Sequence, residues 1–515
     1  MIPGARRAAR LAALCLALVG TGARGETLAD AIALAYQTNP TLQSQRAQVR
    51  IADEGYVQAR AALGPTANLQ VASTYNQNRI GYASPFESNA GQAQVTLTQP
   101  VYLGGRGALG VAVATAQVRA AREALRATEG NVMLAVIEAY ADVARDAGSL
   151  EVRAKNLQVL VDQVKEAKAR RRAGELTLTD VAQAQAQLAG ERALYSTAQG
   201  QLQASRAAYA TAVGRNPGEL APAPPLPGLP SAVDQAFDLA EARSPELSEA
   251  KFTELGSKER VAQARGAYRP TLSLTAILGY TGPVTPFDPR AVERSVTGEV
   301  VVSQPLFTSG LIGSQVRAAL DQNTSDRISI ETTRRAVVQN VANTWNQILV
   351  ERANVAFQSE QVRLAAIAFT GMRIEYKEGL RATIDVLISE ETLRDAELSK
   401  LNAVHDRYIA EASLLRVIGR LEGPDLAPGL PQYDSAANLR DVENRGAVPW
   451  TALVQRLDAL GEPGAGQRSI VAPKAISVAP TIAKPNPTPP PDGLITAIPT
   501  APIPGTVSPA PPPDP

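Results

Sequence analysis

Leu97-Thr98-Gln99-Pro100-Val101-Tyr102-Leu103-Gly104-Gly105 recurs as Val302-Ser303-Gln304-Pro305-Leu306-Phe307-Thr308-Ser309-Gly310, and every matched pair is 205 residues apart. The same spacing relates Pro40 to Pro245, Pro65 to Pro270, Tyr75 to Tyr280, Gly174 to Gly379, Asp180 to Asp385 and Gly214 to Gly419. From Leu28 to Gly214 the register holds without a gap. A short period would indicate a solenoid, whereas one long duplication indicates a pseudo-symmetric molecule whose halves stand side by side.

Outward from this motif lie two different patterns. No proline occurs between Pro100 and Pro217 or between Pro305 and Pro424. Val111, Val118, Leu125 and Val132 are spaced by seven, and after a stutter Val136, Val143, Leu150, Leu157 and Val164 resume the spacing. A sustained heptad repeat marks helices wound around neighbours. A helix from Arg106 to Arg172 would be about 100 Å long. It should end at Gly174, behind the basic run Arg170-Arg171-Arg172, with a returning helix capped by Thr177 or Thr179. The second copy repeats the plan through Val341, Ile348, Val355, Val362 and Phe369 to Gly379, returning from Thr383. Each copy therefore contains a long helical hairpin.

On the other side of the motif, residues alternate. Ala67, Leu69, Val71 and Tyr75 share one face, with Asn68, Gln70, Thr74 and Asn76 on the other. Ala93, Val95 and Leu97 alternate with Gln92, Gln94, Thr96 and Thr98. Leu272, Leu274, Ala276, Leu278 and Tyr280 form a third run, and Val300 with Val302 a fourth. Apolar residues outward and polar residues inward is the pattern of membrane-barrel strands. The segments Gln77 to Ala90 and Thr281 to Glu293 read as loops. Four strands cannot close a membrane barrel alone, because two edges would present bare amides to lipid. Strands in a membrane would force oligomerisation, and three copies would supply twelve. The same pattern also fits an antiparallel sheet on a soluble domain.

Composition agrees with slender helices rather than a thick core: 45% of residues are hydrophobic but only 4% aromatic. A net charge of +1 gives no support for nucleic acid as a partner. Residues 1–25 read as a signal peptide, with Arg6, Arg7 and Arg10 before the apolar run Leu11 to Val19 and small residues at Ala23-Arg24-Gly25. That run holds Cys15, the only cysteine. The expected divisions are a first repeat over 26–213, a Pro-rich equatorial linker over 214–232, and a second repeat over 233–420. An irregular equatorial segment follows over 421–472, with a short helix through Trp450 to Leu460, then a Pro-rich disordered tail over 473–515.

The doubled order of motifs resembles the TolC family of outer-membrane efflux and export proteins. Its carriers are Asn39-Pro40 with Ser244-Pro245, Ala59-Arg60 to Pro65 with Ala264-Arg265 to Pro270, the opening motif and its copy, and the run Tyr376 to Leu387 with Gly379 and Asp385-Val386-Leu387. The resemblance covers nearly all of residues 26 to 420. It implies a mainly α fold with internal duplication. Long hairpins would form a periplasmic α-barrel, and four strands per protomer would join a shared twelve-stranded outer-membrane β-barrel. It further implies a homotrimer set in outer-membrane lipid. The trimer would dock a periplasmic adaptor (membrane fusion) protein and an inner-membrane ABC or proton-driven transporter, for protein secretion or multidrug efflux. A soluble periplasmic coiled-coil adaptor or scaffold is the alternative.

No cofactor or metal is expected. The sole histidine, His405, has no ligand pattern around it and reads as a surface or packing residue. In the family, polar links between neighbouring hairpins hold the periplasmic aperture closed, and the matching residues are Thr179, Asp180, Tyr376 and Arg381. Asp385 matches an acid of the constriction ring. Where a second acid would follow one turn later, this chain has Ile388; Glu390 and Glu391 are nearby but out of position. Read from spacing alone, Asp180 and Asp385 also suit ordinary first-turn acids of their helices. The hairpin turns Gly174-Glu175-Leu176 and Gly379-Leu380 are the expected adaptor-contact tips.

Overall fold

A computed structural model of the 515-residue chain describes residues 25–78, 81, 86–284, 288–427 and 429–460. Residues 1–24 of the expected signal segment, Cys15 among them, and the tail from Pro473 lie outside the described residues. In the first repeat, helices α1 (Leu28–Thr38) and α2 (Pro40–Ala61) lead into strands β1 (Thr66–Asn78) and β2 (Phe86–Tyr102). The rod α3 (Arg106–Arg172) and the returning helix α4 (Leu178–Val213) follow. The second repeat is α5 (Val233–Arg243), α6 (Pro245–Gly266), β3 (Thr271–Gly282), β4 (Glu293–Ser303), α7 (Leu311–Lys377) and α8 (Thr383–Val417). Both rods have 67 residues and occupy corresponding positions in their repeats. Three short helices close the described chain: α9 (Gly423–Leu426), α10 (Ala437–Val442) and α11 (Thr451–Ala459).

The heptad positions explain why the rods stand. Val111, Val118, Leu125, Val132, Val136 and Val143 are all buried along α3. The main core surrounds the middle of this rod, where Met133, Ile137 and Tyr140 meet Ile32, Tyr209, Leu414 and Leu415. The 214–232 stretch crosses this level. The Glu26 N–H donates to the Glu219 carbonyl, and the Glu26 carboxylate accepts from Tyr209 at 2.6 Å and Arg215 at 2.7 Å.

The strands form one antiparallel sheet in the order β1-β2-β3-β4. Register puts Leu69, Val95, Leu278 and Val296 in one cross-strand row, with Gln70, Gln94, Gly279 and Ser295 in the next. One face is therefore apolar and the other polar, as the alternation predicts, and Gln94 donates to Gln70 across the polar face at 3.0 Å. Leu69 and Val71 are more than 70% exposed, so none of the described residues covers the apolar face there. The loops are shorter than their composition suggests. β1 runs to Asn78 and β2 starts at Phe86, with Gln77 bonded to Glu87 across the pair.

The final segment holds three short helices, and the last of them, α11, has a definite task. The start of α3 has no side-chain cap of its own, since Gly105 precedes it in a left-handed conformation. Asp458 of α11, fully buried, fills that role from the far end of the chain. Its carboxylate accepts from the N–H groups of Leu103 (2.6 Å), Gly105 (3.0 Å), Gly107 (2.9 Å) and Ala108 (3.0 Å). An anion at a helix start is favoured by orphan amides and the dipole together. Asp458→Ala should strip all four donors of their acceptor and cost about 3 kcal/mol or more. Thermal melting followed by circular dichroism checks this; an unchanged Tm would refute the capping role.

Candidate functional site

The residues singled out in the sequence sit at the free ends of the two hairpins. At the first, Gly174 takes a left-handed conformation (φ +83°) and closes α3. Thr177, not Thr179, caps the returning helix α4. Its hydroxyl accepts from the Asp180 N–H at 3.2 Å, and the Asp180 carboxylate accepts from the Thr177 N–H and hydroxyl at 2.9 and 2.7 Å. These hydrogen bonds, from the Thr177 side chain first, hold the Asp180 carboxyl below its ordinary pKa. Thr179 is exposed beside them. Glu175 is exposed and Leu176 half-buried.

The second tip is built alike, with Gly379 at φ +75° and Leu380 75% exposed. Its cap is weaker, because Ala382 offers no side-chain acceptor; the Ala382 N–H still donates to the Asp385 carboxylate at 3.3 Å, and the Asp385 N–H turns to the Ala382 carbonyl at 3.1 Å. Arg381 is held within its own hairpin by Glu375 at 2.8 Å. Tyr376 links the hairpins: the Arg170 guanidinium of α3 lies 4.6 Å from its ring centre. Within one chain, then, neither Tyr376 nor Arg381 bonds to Asp180. Ile388 is half-exposed, at the position where a second acid would have stood.

Above the tips lies a buried polar seam that sequence reasoning missed. Glu191 of α4 is 2% exposed and receives Arg394 of α8 at 2.8 Å and Arg153 of α3 at 3.4 Å. Close by, Gln163 of α3 donates to Glu390 of α8 at 2.6 Å. The apolar cluster Leu160, Val164, Ala184, Leu188 and Leu387 packs the same junction. The second hairpin's return helix is thereby fastened to both helices of the first. One signal was available: Glu191 falls on the apolar seam of α4, between the buried Leu188 and Ala198. A charge on such a seam asks for a partner.

His405 is a packing residue, set between Asp142 of α3 at 2.9 Å and its neighbour Asp406 at 2.8 Å. Among the described residues no His, Cys, Asp and Glu side chains group as metal ligands.

Two upright hairpins under a sheet with one apolar exposed face are the architecture of a channel-forming membrane protein. The outer membrane efflux protein family matches residues 31–215 and 236–420, one stretch in each repeat. The outer membrane efflux protein BepC of Brucella suis is 32% identical over 428 residues, spanning 83% of this chain and 93% of that relative. The outer membrane protein TolC of Escherichia coli K12 is 25% identical across 78% of this chain and 84% of its own length. The crystal structure of VceC from Vibrio cholerae superposes with a TM-score of 0.64 at 23% identity, covering 76% of this chain and 96% of that one. The chain belongs to the outer membrane efflux protein family. It is an outer-membrane protein of transport, and the soluble-adaptor alternative does not stand.

Burial pushes the Glu390 carboxyl up to about 7, against the opposing pull of Gln163, Arg394 and Arg373. Its folded pKa exceeds the unfolded one, so its contribution to stability is full below about 4.5 and is lost as pH rises through about 7. Glu390→Gln should flatten the dependence of Tm on pH across that window and raise stability at pH 8 by roughly 1–3 kcal/mol. Melting curves at pH 5 and pH 8 test it; parallel shifts at both would count against the assignment.

Proposed function

We propose that three copies of this chain close into one tube that carries substrates across the periplasm and the outer membrane. The observation that carries this reading is the pair of open edges. β1 and β4 each pair on one side only, in a sheet whose apolar face is bare. In hydrocarbon such edges must be paired, and four strands from each of three copies give a twelve-stranded wall.

The rods support the same closure. α3 has 24 buried residues and α7 only seven, although their lengths are equal. α3 is flanked by α1, α2 and α4 of its own repeat and by α6 and α8 of the other, whereas α7 packs along its length mainly against α5, α6 and α8 and meets α3 near the tips through Arg170 and Tyr376. Applying the internal repeat, the missing neighbours of α7 are α2 and α4 of another copy. Val350, Phe357 and Leu364, spaced by seven and each about half exposed, form the seam that would receive them.

In this assembly the hairpin tips surround the periplasmic mouth. Arg170 with Tyr376 and Arg381 with Glu375 brace each tip, and Asp180, Thr179 and Asp385 face the neighbouring hairpin as acceptors for charge-assisted bonds. Opening is a population shift in which the second hairpin swings away from the first. Tips Gly174-Glu175-Leu176 and Gly379-Leu380 are offered to a periplasmic adaptor, which brings an inner-membrane ABC or proton-driven transporter. The duct performs no bond chemistry; the pump supplies energy and the tube supplies the route.

Two measurements check these points. Phe357→Asp should yield monomers of normal helix content by sedimentation in detergent; intact trimers would argue against the α7 seam. Arg381→Ser combined with Arg170→Ser should raise single-channel conductance several-fold in planar bilayers. Unchanged conductance in assembled trimers would overturn the gate.

A further inference from the structure

Helix α11 has two faces, and only one is used. Thr451, Val454 and Asp458 are buried against Leu63, Val111 and the start of α3. Trp450, Leu453, Leu457 and Leu460 form a second stripe at helical spacing, between 37% and 81% exposed. This stripe is apolar, aromatic at one end, and left open by the other described residues.

Its location is given by one hydrogen bond. The Trp450 indole N–H donates to the Gln99 side-chain oxygen at 2.9 Å. Gln99 stands opposite Leu274 in the sheet and two residues from Leu97, so its side chain belongs to the apolar face. It also donates to the Leu63 carbonyl at 3.0 Å, which places it where strand gives way to helix. α11 therefore lies against the apolar exterior of the sheet, at its helix-side rim. In the second repeat the matching rim exposes Tyr268, Leu306 and Phe307, and Gln304 likewise donates to the Tyr268 carbonyl at 2.7 Å. The stripe of α11 thus lies at the foot of the apolar wall, at the level where the second repeat exposes Tyr268 and Phe307. Tryptophan and tyrosine concentrate at such depths because one end of the ring system is apolar and the other polar.

No helix among the described residues is long and apolar enough to cross a membrane, and the nine residues of α11 reach only about 14 Å. We propose that α11 lies in the headgroup–acyl boundary of the periplasmic leaflet, with Trp450, Leu453 and Leu457 seated in phospholipid. This rests on the reading of the sheet as a barrel wall. Because Asp458 on the opposite face caps α3, the helix also ties the height of the rod to the membrane surface.

Only two tryptophans occur in the chain, Trp345 and Trp450, which makes the test direct. The Trp345→Phe protein is reconstituted in phosphatidylcholine–phosphatidylglycerol vesicles carrying brominated acyl chains. Trp450 emission should fall by about half when bromines lie within ~5–10 Å of the headgroup boundary, and less when they lie near the chain ends. A control protein with Trp345→Phe, Trp450→Phe and Leu69→Trp reports the barrel wall. Quenching of the control without quenching of Trp450 overturns the proposal and leaves the barrel standing. Failure of both refutes the barrel reading, and the proposal with it. Trp450 shielded from bromolipid and from aqueous iodide alike means that a second copy covers the stripe, which also overturns it. If Trp345→Phe does not assemble, a fluorophore on Leu453→Cys in a Cys15→Ser background gives the same readout.

Discussion

A strand edge in hydrocarbon has nowhere to send its amides, and this one constraint reaches through the whole molecule. The chain builds a sheet whose outward face is Leu69, Val71, Val95, Leu278, Val296 and Val300, with both edges open. Such a sheet is unstable in lipid alone and stable as a segment of a ring. The rods inherit that requirement. Each hairpin hangs from a strand pair, so a ring of strands above imposes a ring of helices below. The half-bare α7 is the helical expression of the same incompleteness as the open outer edge of β4.

The two repeats share a backbone plan but have been put to different uses. α3 lies in the interior of the protomer and is enclosed by helices from both repeats; α7 lies at its margin. At the strand-to-rod turn, a Cβ on Gly104 would come within 2.7 Å of the Gly266 carbonyl oxygen, so glycine is required there for space as well as for its φ of +73°. The corresponding Ser309 keeps a left-handed φ of +48°. The duplicated fold thus tolerates a side chain on one side of the pseudo-symmetry and forbids it on the other.

Much of the architecture was legible because a long duplication is self-checking. The limits of α3 at Arg106 and Arg172 follow from proline, glycine and heptad positions and agree with the structure. Strand ends were less legible, since Gln77, Glu87 and Asn89 carry loop-like composition while remaining in the ladder. Tips and glycine turns were located by motif, yet the partners of Tyr376 and Arg381 were not, because they depend on which helix stands beside which. The seam of Glu191, Arg153 and Arg394 joins residues from three helices, and only Glu191 betrays itself by interrupting an apolar row. Asp458 carried no signal at all: a single acid in a short helix can find its donors only in three dimensions.

That acid also sets an order of events. The amides it satisfies lie some 350 residues upstream, so the start of the first rod remains unfinished until nearly the whole described chain is available. Closing so long a loop is slow, although its entropy grows only logarithmically with length. A chain emerging amino-terminus first would hold its leading repeat in a provisional state and complete it last. The cap at the head of the first rod is therefore among the last contacts that the described chain can make.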